Sequence, residues 1–305
     1  MSTQTQPATT TGHATRIQRI AAAIDGRPEG RDAATLMQAL ASATGAEPML
    51  VAVENDITML LPNADWKGIR QDTMRMLRRT RDELAPEART VAGRDTSIVR
   101  GLEQIVARDH RQLLVLGSSR RGGDQKITVG HITRQLIHDL ACPIAVAPRG
   151  LASRPDYALR RVAVGFDGGS HAAAALALGT ELAEGASAEL HVLGVVDDRI
   201  PSPSWAEMWL QPFRDEWDKT IDDQVATLER QIQDAVADSS ADVYPAVVRG
   251  VASQALGALS ERVDVVVIGS RRWGVAARML LGGTGEALAR NCRAPLVIVP
   301  APAAG

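Results

Sequence analysis

Gln112-Leu-Leu-Val-Leu-Gly117-Ser-Ser-Arg-Arg121, followed by Val129-Gly130 and then by Cys142-Pro143-Ile-Ala-Val-Ala147, decides the reading of this 305-residue chain because it occurs twice. The second copy is Asp264-Val-Val-Val-Ile-Gly269-Ser-Arg-Arg-Trp273, then Leu281-Gly282, then Ala294-Pro295-Leu-Val-Ile-Val299. From Gly117 to Gly269, from Gly130 to Gly282 and from Pro143 to Pro295 the step is 152 residues. Upstream, Ile20-Ala-Ala-Ala-Ile-Asp25-Gly26 matches Val162-Ala-Val-Gly-Phe-Asp167-Gly168 at a step of 142, so the second copy is longer in its middle. A period this long means tandem domains rather than a solenoid of short repeats. At roughly 150 residues per domain the chain length agrees. The stretch Pro148-Arg-Gly-Leu-Ala-Ser-Arg-Pro-Asp156 carries the Pro, Gly and Ser that mark a linker between the copies.

Working outward, each copy alternates short apolar runs with helical patterns. In the second copy the runs are Arg161–Phe166, Glu189–Val196, Val243–Val248, Val263–Ile268 and Pro295–Val299. In the first they are Gln18–Ile24, Met49–Val53, Thr90–Ala92, Leu113–Leu116 and Ile144–Ala147. Four to eight apolar residues without alternation predict strands buried on both faces, hence a parallel sheet. Phe213, Trp217, Ile221, Val225, Leu228, Ile232 and Val236, at steps of three and four, predict a helix with one core-facing stripe. Alternating β and α makes the fold class α/β, with two tandem, open, doubly wound parallel-sheet domains.

Composition narrows the function. Hydrophobic residues are 45% and charged residues 23%, as in a soluble globular protein. A net charge of −2 argues against a nucleic-acid or anionic-membrane partner, which calls for a basic excess. Of 34 basic residues only Lys67, Lys126 and Lys219 are lysine, a preference more simply explained by coding bias than by guanidinium chemistry. Cys142 and Cys292 form no CxxC pair, and six scattered histidines form no HExxH, so neither a disulfide framework nor a metal site is expected. Met1 to Thr15 is polar and lacks the apolar core of a signal peptide. No apolar stretch approaches ~18 residues, so no membrane span is expected and the protein is assigned to the cytoplasm.

Ligands of open α/β sheets bind beyond the strand carboxyl ends, at the switch point. That rule selects Asp25 and Asp167 after the first strand, Gly117 and Gly269 after the fourth, and Gly130 and Gly282 before the last helix. Helices starting near Gly130 (Ile132, Leu136, Ile137 and Leu140 inward) and near Gly282 (Ala287, Leu288 and Cys292 inward) would present free N–H groups to an anion. Glycine there would allow positive φ and let a phosphate approach the backbone. The competing reading is that both glycines merely make the turn.

These features resemble two copies of the universal stress protein domain. Three elements, in order and twice, carry the resemblance. The first is the Asp-Gly closing strand one, clearest in Val164-Gly-Phe-Asp167-Gly-Gly-Ser170; the second is the turn Leu-Gly117-Ser or Ile-Gly269-Ser; the third is Leu280-Leu-Gly282 … Ala294-Pro295-Leu-Val-Ile-Val299 with its partner Val129-Gly130 … Cys142-Pro143-Ile-Ala-Val146. The resemblance implies domains at 16–148 and 158–300, a linker at 149–157, and tails at 1–15 and 301–305. ATP-binding members of that family carry G-x2-G-x9-G-[ST]. Here the first and third glycines stand at the right spacing, but Arg120 and Arg272 replace the second, and His131 and Gly283 replace the closing Ser/Thr, with Thr133 and Thr284 nearby. An arginine at that place either strains the loop or grips a phosphate by charge-assisted bonds. The sequence leaves both open, along with the plain reading of Arg120-Arg121 and Arg271-Arg272 as solvated loop charges.

By resemblance the cofactor is ATP or another adenine nucleotide, with Mg as an optional companion of ATP. Its base and sugar would be held by Gly165, Phe166, Asp167 and Val195 in the second copy and by Ala23, Ile24, Asp25 and Val53 in the first. Its phosphates would be held by Ile268, Gly269, Arg271, Arg272, Gly282, Gly283 and Thr284, or by Gly117, Arg120, Gly130, His131 and Thr133. The aspartate alternatively caps the following helix. The second copy keeps more of the pattern at strand one and ranks ahead as the nucleotide site. The expected role is stress-response nucleotide binding that signals rather than catalyses. The alternatives are an interaction module without nucleotide and a slow ATPase. No GxxxxGK[ST] loop is present, and His171 reads as a polar residue at a helix start. The last strands, Ile144–Ala147 and Leu296–Val299, are expected to pair within the chain about a pseudo-two-fold, with dimerisation of the whole chain left open.

Overall fold

The computed structural model describes residues 16–55, 65–110, 112–120, 126–154, 156–199, 211–273, 278–280 and 282–300, and only the backbone at 211–215, 271–273 and 278–280. The first copy runs β1 (Arg19–Ala23), α1 (Pro28–Thr44), β2 (Glu47–Asn55), α2 (Trp66–Leu84), β3 (Arg89–Asp95), α3 (Ile98–Arg108), β4 (Leu113–Gly117), α4 (His131–Asp139) and β5 (Ile144–Ala147). The second runs β6 (Arg161–Phe166), α5 (Ser170–Ala186), β7 (Glu189–Val196), α6 (Gln211–Val236), β8 (Asp242–Arg249), α7 (Ala252–Leu259), β9 (Val265–Trp273), β10 (Arg278–Leu280), α8 (Gly283–Asn291) and β11 (Leu296–Pro300).

One sheet crosses both copies in the order β3-β2-β1-β4-β5-β11-β9-β6-β7-β8, with β10 beside β9. Within each copy the main strands are parallel. Their apolar runs explain this: β5 and β11 are buried along their whole length, as strands covered on both faces must be. The copies meet where β5 and β11 pair antiparallel, Val146 opposite Leu296, Ala145 opposite Val297 and Ile144 opposite Ile298. The last strands therefore pair within the chain, as expected.

Helices α1, α2, α5 and α6 cover one face and α3, α4, α7 and α8 the other, each layer over a core continuous through both copies. Helices α1 and α5 cross so closely that a Cβ on Gly185 would lie 1.7 Å from the Ala43 carbonyl oxygen. The stripe on α6 faces the core through Ile221, Leu228 and Ile232, with Trp217, Val225 and Val236 half-buried and the Phe213 side chain outside the described residues. The segment after β5 is docked rather than a free tether. It makes a 3-10 turn at Leu151–Ser153, buries Leu151, and gives the Gly150 and Ala152 amides to the Asp32 carboxylate at 3.0 and 2.7 Å.

Two sequence expectations need correction. Ile132 is 38% exposed on α4, so Thr133, Leu136 and Ile137 make the buried face of the helix, while Leu140, just past the helix end, packs half-buried against the core as expected. The fourth strand of the second copy does not stop at Ile268. It continues to Trp273 as β9 and turns back as β10, with Arg272 opposite Met279 and Arg271 opposite Leu280.

Candidate functional site

β1 pairs β2 on one side and β4 on the other, so the chain reverses its winding there; β6, between β7 and β9, repeats the arrangement. Each reversal opens a crevice at the strand carboxyl ends. Crevice one, about 500 Å³, brings together Ala23, Ile24, Asp25, Val53, Gly117, Arg120, Gly130, His131 and Thr133. Crevice two, about 200 Å³, brings together Gly165, Phe166, Asp167, Val195, Ile268, Gly269, Gly282, Gly283 and Thr284. The Arg271 and Arg272 side chains lie outside the described residues. At matching positions crevice two carries the bulkier Phe166 and Leu193 where crevice one has Ile24 and Val51.

The glycines divide into two kinds. A Cβ on Gly117 would sit 2.2 Å from the Glu29 carbonyl oxygen, and one on Gly269 2.2 Å from that of His171. These two let the first turn of α1 or α5, the helix after each copy's first strand, press against the end of β4 or β9. Gly130 and Gly282 have ordinary extended backbones, φ −78° and −64°, so the positive-φ rationale fails for them. A Cβ on Gly282 would meet nothing within 4 Å among the described residues, and one on Gly130 would touch Ser119 no closer than 3.4 Å. Neither packing nor φ requires glycine there; what a bare Cα leaves is room above a helix end. Positive φ falls instead on Gly26 (78°) and Gly168 (79°), directly after the two aspartates.

Asp25 and Asp167 shape the turn into the next helix. Asp25 Oδ1 accepts the Arg27 amide at 3.1 Å and Asp167 Oδ1 the Gly169 amide at 3.0 Å. The N-caps are Arg27 and Gly169, so each aspartate acts two residues ahead of the cap instead of being it. Their outer oxygens face Arg27 Nη1 at 3.7 Å and His171 Nε2 at 3.1 Å. His171 thus lines crevice two as half of an acid–imidazole pair, beyond the plain helix-start role read from sequence. Its counterpart in crevice one is Glu29, which lies 3.6 Å from Arg149 Nε.

The phosphate-side ends also differ. Gly130 caps α4 with no side-chain bond, and α4 has no acidic residue in its first turn. The Arg134 amide is the first to reach an intrahelical carbonyl, that of Gly130 at 2.9 Å, which leaves the His131, Ile132 and Thr133 amides without one. Arg120 does not have positive φ, so the strained alternative does not arise. In crevice two, α8 carries Glu286 in its first turn. Arg134 of α4 binds that carboxylate at 2.8 Å, across the seam and from the matching position of the other copy. Backbone bonds tie the same places: Ile127 donates to the Cys292 carbonyl at 2.8 Å and Val129 to that of Ala289 at 3.0 Å, while the Thr128 amide bonds Ser118 Oγ at 2.7 Å.

Sequence reasoning missed Thr73 and Met76 of α2, Ile98 and Leu102 of α3, and Ala252 and Leu256 of α7, all of which line a crevice. They read as core residues, and only the rule that helices flank the switch point could have flagged them.

The class defined by these features is a duplicated, doubly wound α/β protein with one crevice per copy. Residues 16–148 and 158–300 each match the universal stress protein family, and the chain belongs to that family. A universal stress protein of Mycobacterium tuberculosis is 25% identical over 187 residues, 61% of this chain and 61% of that protein, so the chain spans less than two thirds of that relative's length. Two solved structures share the fold across the whole chain. A functionally unknown protein from Pseudomonas aeruginosa PAO1 is 17% identical with TM-score 0.67, covering 94% of both chains. A universal stress protein from Archaeoglobus fulgidus DSM 4304 is 18% identical with TM-score 0.65, covering 93% of this chain and 98% of that one. Among the described residues no helix is long and apolar enough to cross a membrane.

Proposed function

We propose that this universal stress protein binds an adenine nucleotide, ATP foremost, in crevice one and acts in the stress response by binding and signalling rather than by catalysis. The carrying observation is the crevice itself. At about 500 Å³ it falls within the ligand-pocket range of roughly 300–1,000 Å³, and free amides, Arg120, His131 and Thr133 gather at one end with apolar Val53, Ile98 and Leu102 at the other. Crevice two, at about 200 Å³, falls short of that range, so the cavities rank the copies in the opposite order to the strand-one pattern. Within the chain β5 and β11 already pair with each other, so any association of whole chains would use another surface.

Equilibrium dialysis with labelled ATP tests the reading. Micromolar retention of one nucleotide per chain is expected. No retention at millimolar ATP would overturn it and leave the interaction-module alternative. Slow hydrolysis in crevice two has one observation in its favour, the Asp167–His171 pair at 3.1 Å, an arrangement that can orient an imidazole as general base. Phosphate release lost on His171→Ala would establish it.

A further inference from the structure

The phosphate end of crevice one departs from the family loop at two positions, and both departures add a side chain with N–H donors. Arg120 stands where the loop has its second glycine and His131 where it has Ser or Thr. Both line the crevice, both are exposed, and neither has a carboxylate partner among the described residues. Between them Thr133 is 6% exposed, lines the same crevice, and has no hydrogen-bond partner for its hydroxyl among the described residues. That hydroxyl is free to donate to a ligand oxygen in the crevice.

The residues present do not suit a magnesium ion. Mg²⁺ binds through one or two carboxylates together with substrate phosphates and water. Among the described residues the carboxylates that line crevice one are Asp25 and Glu29, and each already faces a guanidinium, Arg27 at 3.7 Å and Arg149 at 3.6 Å. The rest of that end offers donors: amides of the first turn of α4, a guanidinium, an imidazole and a hydroxyl.

We infer that crevice one grips the phosphate tail of its nucleotide with Arg120, His131 and Thr133 in place of a divalent metal, so that its proper ligand is the metal-free nucleoside polyphosphate. This rests on the reading that crevice one holds a nucleotide. The guanidinium supplies charge-assisted bonds to phosphate oxygens from a fixed fork. The N-terminus of α4 supplies amides from below, and Thr133 Oγ1 donates from the wall.

The test uses the full chain carrying Gly282→Asp, which places a carboxylate at the mouth of crevice two and leaves crevice one as the site read. ATP binding is measured calorimetrically in excess EDTA and in excess Mg²⁺. The expected result is equal or tighter binding in EDTA. Arg120→Gly/His131→Ser, which restores the family loop, should weaken binding in EDTA at least about tenfold, with circular dichroism showing an intact fold. Binding that needs Mg²⁺, or a double variant that binds in EDTA as its parent does, overturns the inference while leaving the nucleotide reading standing. Absence of binding in both buffers overturns the nucleotide reading itself.

Discussion

Gly130 caps α4 without a side chain, in a backbone conformation (φ −78°, ψ 176°) that any residue adopts, above a first turn that holds no acid. Gly130→Asp is therefore a perturbation whose two effects should carry opposite signs. The new Cβ meets Ser119 at 3.4 Å, an ordinary contact, so packing resists little. The carboxylate can accept one of the free amides of Ile132 or Thr133, worth a few tenths of a kcal/mol over glycine. Its charge against the helix dipole adds about 0.3–1 kcal/mol. For a chain of this size the thermal midpoint should rise by about 1–3 °C. A bound phosphate would occupy the same amides. Two unit charges about 4 Å apart at an effective dielectric of about 20 repel by about 4 kcal/mol. With much of that screened, affinity for ATP should fall about 100-fold, about 2.8 kcal/mol. Differential scanning fluorimetry and labelled-nucleotide dialysis on the same preparation read the two signs. A variant that merely damaged the fold would lower both. A more stable variant that still binds ATP like the wild type would refute the placement of the phosphates at α4.

Further predictions follow from the same geometry. Gly117→Ala and Gly269→Ala each drive a methyl to 2.2 Å from a backbone carbonyl oxygen; each should cost at least about 1–3 kcal/mol in urea denaturation, whereas Gly282→Ala, with no described residue within 4 Å, should cost well under that. Burial pushes the Cys142 thiol up to about 12 and the Cys292 thiol up to about 11. The native protein should therefore leave buried Cys292 inert to thiol-reactive dye at mildly alkaline pH and half-buried Cys142 slow, and react fast at both cysteines once unfolded; rapid native labelling of Cys292 would contradict its burial. Arg134→Glu should destabilise and Arg134→Glu/Glu286→Arg should recover, with a coupling of about 0.2–1 kcal/mol for this half-exposed pair; a double variant no better than the single one would show that the bridge does not join the copies in solution.

Most of the fold was legible because buried parallel strands write themselves as continuous apolar runs. Leu113–Leu116 and Ile144–Ala147 could be read almost to the residue, and the observed strands are Leu113–Gly117 and Ile144–Ala147. The repeat did the rest, since each copy supported the reading of the other. The antiparallel pairing of β9 and β10 was not legible, because Arg271, Arg272 and Trp273 carry no apolar run. At the site, spacing located the glycines but assigned them one shared reason. The structure separates the reasons: closeness to a neighbouring helix at Gly117, open space at Gly282. That distinction depends on what stands opposite each Cα in space, which no local pattern contains.

The comparison of the two crevices carries this further. Matching backbones end in different volumes because Phe166 and Leu193 replace Ile24 and Val51, and in different electrostatics because His171 replaces Glu29 and Glu286 stands in the first turn of α8. A duplication that starts with two equal sites can divide them by a handful of side chains while the sheet stays intact, since none of these residues makes the antiparallel seam of β5 and β11. The seam also sets how far the copies can diverge. The strand-like run Ile127–Val129 is bonded inward to Ser118 through Thr128 and outward to the Ala289 and Cys292 carbonyls of the other copy. The segment that leads into Gly130, at the edge of crevice one, is thus anchored on the second copy's last helix, and a change that unwound α8 would loosen crevice one even if crevice two never held a ligand.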